Sequence, residues 1–260
     1  MTNRLRQRAA SEACFGAWCT TPSTFNAEVL AGAGFDYVCV DCQHGLIHYD
    51  GMWPMIQAMR HADTTPVVRI PFNDTPWFGK ALDAGAQGVI VPMVNSGADA
   101  QRAVAATRYP PLGVRSFGPV RSAMVVGADP ETVNREVLCL LMIETAEAVE
   151  RADEICSTPG VDGVYIGPAD LAISLGVGLA KMFEAQVHVD AIDHVREAAM
   201  RNGIIPGIHT GGGAQARGLA DAGFRMCTLS SDATWLRQAA QGDLAAARGT
   251  GDERRGGIYG

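Results

Sequence analysis

At 260 residues with 47% hydrophobic content, the chain can bury one large core or two small ones. Its net charge of −7, with no basic run, argues against a nucleic-acid or anionic-membrane surface. The start of the chain is basic, but no apolar segment follows it and no stretch is long enough to span a bilayer, so a soluble, cytoplasmic protein is expected.

Strand and helix alternate along the chain. Residues 13–19 read as a strand and 22–31 as a helix opened by Thr21 and Pro22. A second strand spans 37–41, a helix 50–61, a third strand 66–70 and a helix 75–84. Strand 88–92 leads to helix 96–107 and then to a long loop rich in Pro and Gly over 108–122. Strand 137–143 and helix 146–157 follow, then strand 161–166 and a polar helix running to about residue 202. Strands 205–208 and 226–229 complete the series, each followed by a helical segment, and 249–260 reads as a flexible tail.

The phrases AGAGFDYVCV, DAGAQGVIV, PGVDGVYIG and DAGFRMCTL each end a helix on Gly and enter an apolar strand. Alternation of this kind means parallel strands joined by right-handed crossovers. About eight repeats in about 250 residues is the size of an α/β (β/α)8 TIM barrel. Residues 1–248 are therefore expected to form one barrel domain with a short N-terminal helix. A doubly wound open sheet is the alternative, but no GxGxxG follows the first strand.

Seven cysteines, most of them in apolar runs (Cys39, Cys139, Cys227), read as reduced core thiols. Cys39 and Cys42 form a C-x-x-C at a strand end, where a redox pair would need a helix start, and no second pair completes a zinc site.

The segment GVDGVYIGPADLAISLGVG (160–178) carries the first chemical signal. At the end of its strand, Gly167-Pro168-Ala169-Asp170 turns the chain and aims one carboxylate outward. The amides of Ala169 and Asp170 open the next helix and would seat a small anion. An acid beside an anion needs a cation between them, which suggests a divalent metal holding an acidic substrate.

Other polar groups fall at the same end of successive strands. Asp41 and His44 leave the second, Arg69 ends the third, Glu144 the fifth and His209 the seventh, while Ser231 and Asp232 follow the eighth. Each alone has a structural reading: a first-turn charge, an ion-pair bridge, a loop histidine. Together they mark the face on which barrels build active sites. Glu144 and Asp170 suit Mg²⁺ or Mn²⁺, Arg69 would stabilise charge developing on an oxygen, and His44, its tautomer fixed by Asp41, suits acid/base work. That set fits enolate chemistry on a 2-oxo acid. The lysines, Lys80 and Lys181, both fall on helices, which closes the Schiff-base route. His209 would offer an aldehyde acceptor a donor, or a charge near neutral pH, unless it turns outward into its loop. His48, His61, His188 and His194 read as surface residues.

With the phrases GFDYVCVDCQHG, VVRIPFND, GAQGVIVPMV, RYPPLGVRS, MIETAEAVE and GVDGVYIGPADLAISLG, the chain resembles the HpcH/HpaI aldolases, metal-dependent class II pyruvate aldolases. The resemblance implies Glu144 and Asp170 as metal ligands (Mg²⁺, Mn²⁺ or Co²⁺) and His44 as acid/base paired with Asp41. It implies Arg69 on the enolate oxygen of pyruvate, the Ala169 and Asp170 amides on its carboxylate, and no nucleotide or organic cofactor. Gly167, Trp18, Met142 and His209 would line the rest of the substrate pocket. It further implies homo-oligomeric hexamers whose neighbours exchange the last helix. Two positions depart from the pattern: Met142 stands where many members carry Gln, and Gln43 where many carry an acid. The Gly211–Gly213 loop reads as a phosphate nest or as a plain loop. It leaves as alternatives a barrel lyase for a CoA-linked or phosphorylated substrate, or a non-catalytic metal-dependent barrel that binds 2-oxo acids.

Overall fold

The computed structural model describes residues 2–250. Among them eight parallel strands close into a barrel in chain order: β1 (Cys14–Cys19), β2 (Tyr37–Asp41), β3 (Thr65–Arg69), β4 (Gly88–Val91), β5 (Leu138–Ile143), β6 (Gly163–Ile166), β7 (Ile205–His209) and β8 (Met226–Ser231), which pairs back onto β1. The helices are α1 (Arg4–Ala9), α2 (Thr24–Gly32), α3 (Tyr49–Ala58), α4 (Thr75–Asp83), α5 (Gly97–Thr107), α6 (Ser122–Val125) and α7 (Pro130–Glu136). They continue as α8 (Ala146–Glu150), α9 (Ala152–Cys156), α10 (Pro168–Ser174), α11 (Gln186–Arg201), α12 (Gly213–Asp221) and α13 (Asp232–Ala247). None is long and apolar enough to cross a membrane.

The strands are buried on both faces because two packing layers share them. Val38 and Val40 face the helices, while Tyr37 and Cys39 join Trp18, Leu140, Met142 and Tyr165 inside the barrel. Leu5 and Ala9 of α1 close the bottom of that inner cluster. Asp162 holds this end together, accepting Arg6 at 2.7 Å, Arg108 at 2.6 Å and the Cys139 amide at 2.7 Å. Gly34, Gly85, Gly160 and Gly223, the helix-ending glycines of the repeated phrase, all adopt φ between +91° and +111°. All seven cysteines are free and buried.

Several details differ from the sequence expectation. Helix α2 starts at Thr24, capped by Ser23, whose side chain accepts the Asn26 amide at 3.1 Å. Thr21 instead donates its hydroxyl to Asp232 and accepts the Asn26 side-chain amide at 2.9 Å. The expected helix 146–157 breaks at Arg151 into α8 and α9. Helix α7, not anticipated, is opened by Asp129, which accepts the Thr132 amide at 2.9 Å, and by Pro130. Most of the expected tail lies outside the described residues.

Gly16 on β1 faces Tyr37 on β2, and a Cβ there would sit 2.1 Å from the Tyr37 ring carbon Cζ. Tyr37 is fully buried and bonded to Thr228 at 2.8 Å, so it has nowhere to move. Gly16→Ala is therefore expected to destabilise the barrel by about 1–3 kcal/mol or more, read as a lowered midpoint in urea unfolding. An unchanged midpoint would mean that this layer can relax.

Candidate active site

The C-terminal ends of the strands surround a cavity of about 270 Å³. Trp18, His44, Arg69, Met142, Glu144, Gly167, Ala169, Asp170 and His209 all line it. Asp41 stands just behind, 1% exposed.

Asp41 and Arg69 are register partners on adjacent strands. The guanidinium grips the carboxylate with two bonds, Nε to Oδ1 at 2.8 Å and Nη2 to Oδ2 at 2.5 Å. Burial works against ionising Asp41, but the Arg69 bonds and charge outweigh it and hold the carboxyl below its usual range. Oδ1 also accepts the backbone amides of Gln43 at 3.0 Å and His44 at 3.2 Å. This corrects the expected Asp41–His44 side-chain pairing: among the described residues no bond joins the His44 ring to Asp41. The fork-shaped Arg69, placed by strand register, is the side chain that faces both oxygens. His44 is exposed at the cavity mouth.

Across the cavity, Glu144 is 2% exposed and accepts the Met93 amide on Oε1 at 2.8 Å. Met93 donates from φ +54°, a left-handed conformation uncommon for any residue but glycine. Oε2 of Glu144 lies against Gly167, where a Cβ would come within 2.7 Å. Burial pushes the Glu144 carboxyl up; the Met93 amide opposes this, and the Asp170 charge raises it further. Two neighbouring carboxylates of this kind are stabilised by a cation. Among the described residues no three or more His, Cys, Asp or Glu side chains converge on a common point. Glu144 and Asp170 offer hard carboxylate oxygens, a donor type that would suit a Mg²⁺-like ion, which keeps waters and accepts substrate oxygens.

Trp18 forms the aromatic wall. It stacks on Tyr165 at 5.6 Å, meets His209 edge-on at 5.1 Å and carries Arg69 over its ring at 5.2 Å. Tyr165 donates to Thr228 at 2.6 Å and contacts His209 Nδ1 at 3.4 Å. A phenol has one hydrogen, already given to Thr228, so Nδ1 carries the proton of the His209 contact and Nε2 is left as an acceptor. Burial and the Arg69 charge lower His209 to about 4. At neutral pH it is uncharged, which removes the charged option considered from sequence.

Other expected members of this face do not join the site. Asp232 is consumed by Thr20 (amide at 2.8 Å, hydroxyl at 2.9 Å), Thr21 and Asn26, and Ser231 caps α13. The Gly211 amide is taken by Gln215 at 2.7 Å, which favours a plain loop over a phosphate nest. His188 is wholly buried rather than on the surface, because both ring nitrogens find backbone partners. Met93, Tyr165 and Thr228 escaped sequence reasoning. A tyrosine and a threonine in apolar strands, and a methionine just after one, carry no chemical signal. A larger cavity of about 400 Å³ at the N-terminal end of β3 contains none of the candidate acid/base groups.

The HpcH/HpaI aldolase/citrate lyase family matches residues 15–239. A hydroxypyruvate/pyruvate aldolase of Rhizorhabdus wittichii is 43% identical over 233 residues, covering 89% of this chain and 92% of that protein. A 4-hydroxy-2-oxo-heptane-1,7-dioate aldolase of Klebsiella pneumoniae is 36% identical, covering 87% of this chain and 86% of its own. The crystal structure of an HpcH/HpaI aldolase/citrate lyase family protein from Burkholderia cenocepacia superposes with a TM-score of 0.88 at 33% identity, covering 95% of this chain and 100% of that one. Aldolases among the relatives favour the aldolase reading over a CoA-linked lyase or a non-catalytic barrel. The chain belongs to the HpcH/HpaI aldolase family and is a carbon–carbon lyase.

Proposed function

We propose that the protein makes and breaks 4-hydroxy-2-oxo acids through a pyruvate enolate, releasing pyruvate and an aldehyde, with a divalent metal held by Glu144 and Asp170. The observation that carries this reading is the placement of a pinned arginine, the buried Glu144 and the neighbouring, exposed Asp170 around one cavity of about 270 Å³. The relatives named as pyruvate aldolases support it. When bound, Mg²⁺, Mn²⁺ or Co²⁺ supplies Lewis-acid polarisation of the 2-oxo group.

The residues divide the remaining work. Arg69, held by Asp41, directs Nη1 toward Met142 Sδ at 3.9 Å, a weak acceptor, so this donor stays available for oxygen charge that develops as the enolate forms. The amides of Ala169 and Asp170, at the start of α10, receive the substrate carboxylate. His44, exposed at the mouth, moves the proton of the 4-hydroxyl. Trp18 and Met142 exclude water. His209 Nε2 accepts a hydroxyl hydrogen from the acceptor half. We place this activity in the cytoplasm and in a hexamer whose neighbours exchange α13; Leu236 and Leu244 of that helix, 69% and 49% exposed, support a partner there.

Chelation with EDTA is expected to abolish pyruvate release and Mn²⁺, Mg²⁺ or Co²⁺ to restore it. Glu144→Ala and Asp170→Ala should lose metal binding in calorimetry while circular dichroism stays that of a folded barrel. Full activity in the chelated enzyme would sink the metal assignment.

Arg69→Ala should suppress proton exchange at the pyruvate methyl group, since losing such a donor costs about 3–4 kcal/mol of barrier. His44→Ala should slow cleavage about a hundredfold or more while exchange persists. Exchange at the wild-type rate in Arg69→Ala would refute the assignment.

For His209, an NMR titration should place the ring near pH 4 rather than 6.5. Because the folded pKa is lowered, the stability this group contributes is complete above about 6.5 and is lost as pH falls toward 4. His209→Leu should therefore lose less stability than wild type between pH 7 and 4. It should also shift kcat/KM from hydroxylated toward alkyl aldehydes and leave methyl exchange intact. An unchanged ratio would place His209 outside the substrate's reach.

A further inference from the structure

We infer that His188 is a positioning residue that ties two walls of the active-site cavity to one imidazole ring, an inference that rests on the aldolase reading above. His188 lies in the first turn of α11 and is wholly buried. Its Nδ1 accepts the backbone amide of Phe183 at 3.1 Å, and its Nε2 lies 2.9 Å from the carbonyl oxygen of Pro168. An amide can only donate and a carbonyl can only accept. Both bonds therefore exist together in one form of the ring, the neutral tautomer with its proton on Nε2.

The two partners belong to different walls. Pro168 opens α10, the helix that presents Ala169 and Asp170 to the cavity. Phe183 and its neighbour Met182 line the same cavity from the segment that precedes α11. Phe183 holds φ at +67°, a left-handed conformation unfavourable for a bulky residue. The Phe183 ring also meets the His188 ring edge-on, with centroids 5.5 Å apart at 90°. One buried side chain thus fixes the amide and the ring of the strained corner while holding the carbonyl two residues before Asp170.

An apolar residue could fill this space but would leave the Pro168 carbonyl without this partner and the Phe183 amide unpaired. The expected consequence is a turn free to move Asp170 and a wall free to move Met182 and Phe183. Neighbours that orient a metal ligand usually carry about 10–100-fold of metal affinity or activity.

The test compares His188→Leu, His188→Gln and His188→Asn with wild type, using Mn²⁺ binding by calorimetry without substrate, together with kcat and KM for pyruvate and aldehyde. His188→Leu should bind Mn²⁺ about 10–100-fold more weakly and lose kcat/KM to a similar extent. Gln, whose amide nitrogen reaches the Nε2 position, should recover most of the Mn²⁺ affinity but keep a raised aldehyde KM. Asn, whose oxygen replaces Nδ1, should not recover Mn²⁺ affinity. A folded His188→Leu with wild-type Mn²⁺ affinity, kcat and KM would overturn the proposal. If His188→Leu does not fold, equal Mn²⁺ affinity in the Gln and Asn variants overturns it. A wild-type protein that neither binds Mn²⁺ nor releases pyruvate overturns the aldolase reading and this proposal with it. Metal-dependent wild-type activity beside an indifferent His188→Leu overturns this proposal alone.

Discussion

The active face depends first on the carboxylate of Asp41. Its two oxygens accept four donors, two from Arg69 and one each from the amides of Gln43 and His44. Burying such a pair is costly in solvation, and removing one partner would strand the other charge away from water. The geometry repays this because strand register sets it: Asp41 and Arg69 are opposite each other on neighbouring parallel strands, and the barrel is rigid there. Arg69 then has little freedom, clamped at one edge and laid over Trp18. The loop carrying His44 is folded onto the same carboxylate, so one group positions both the cation and the mouth of the cavity.

The opposite wall is built on the reverse principle. Asp41 and Arg69 cancel each other's charge, whereas Glu144 and Asp170 add. Glu144 is held in this unfavourable state by a specific device, the Met93 amide delivered from a left-handed backbone. Gly167 is needed beside it because a side chain would collide with the carboxylate. Net negative charge on one side and a pinned guanidinium on the other define an axis. A cation held at the acids would neutralise them and let an anion approach Arg69 without meeting an unpaired carboxylate.

Much of this was legible in the chain because strand ends announce themselves. Apolar runs entered through Gly34, Gly85, Gly160 and Gly223 marked β2, β4, β6 and β8, and the residue types at the ends of β3, β5 and β6 marked Arg69, Glu144 and Asp170. What stayed hidden were choices between partners. Asp41 had a histidine three residues away and an arginine twenty-eight away, and it takes the backbone amide of the first and the side chain of the second. Asp232 carries the residue type and position of a site acid, yet Thr20, Thr21 and Asn26 absorb it. His188 fits the helical period of α11 like any core position, and its role depends on two backbone groups that sequence does not display. Met93 is chemically silent; only its backbone acts.

The polarity of the cavity completes the account. Met142 places a thioether 3.9 Å from Arg69 Nη1, an acceptor too weak to hold that donor. An amide oxygen there would compete with substrate for the same N–H or fix a water against it. With Met142 there, the arginine's free edge has only a weak acceptor beside it, so an oxygen placed there would meet an uncommitted donor. His209 lines the same cavity, its ring kept neutral by burial and by the Arg69 charge. A neutral acceptor beside a fixed cation does not attract a second anion. It would accept a hydrogen from a hydroxyl, so the cavity pairs a charged donor at Arg69 with an uncharged acceptor at His209.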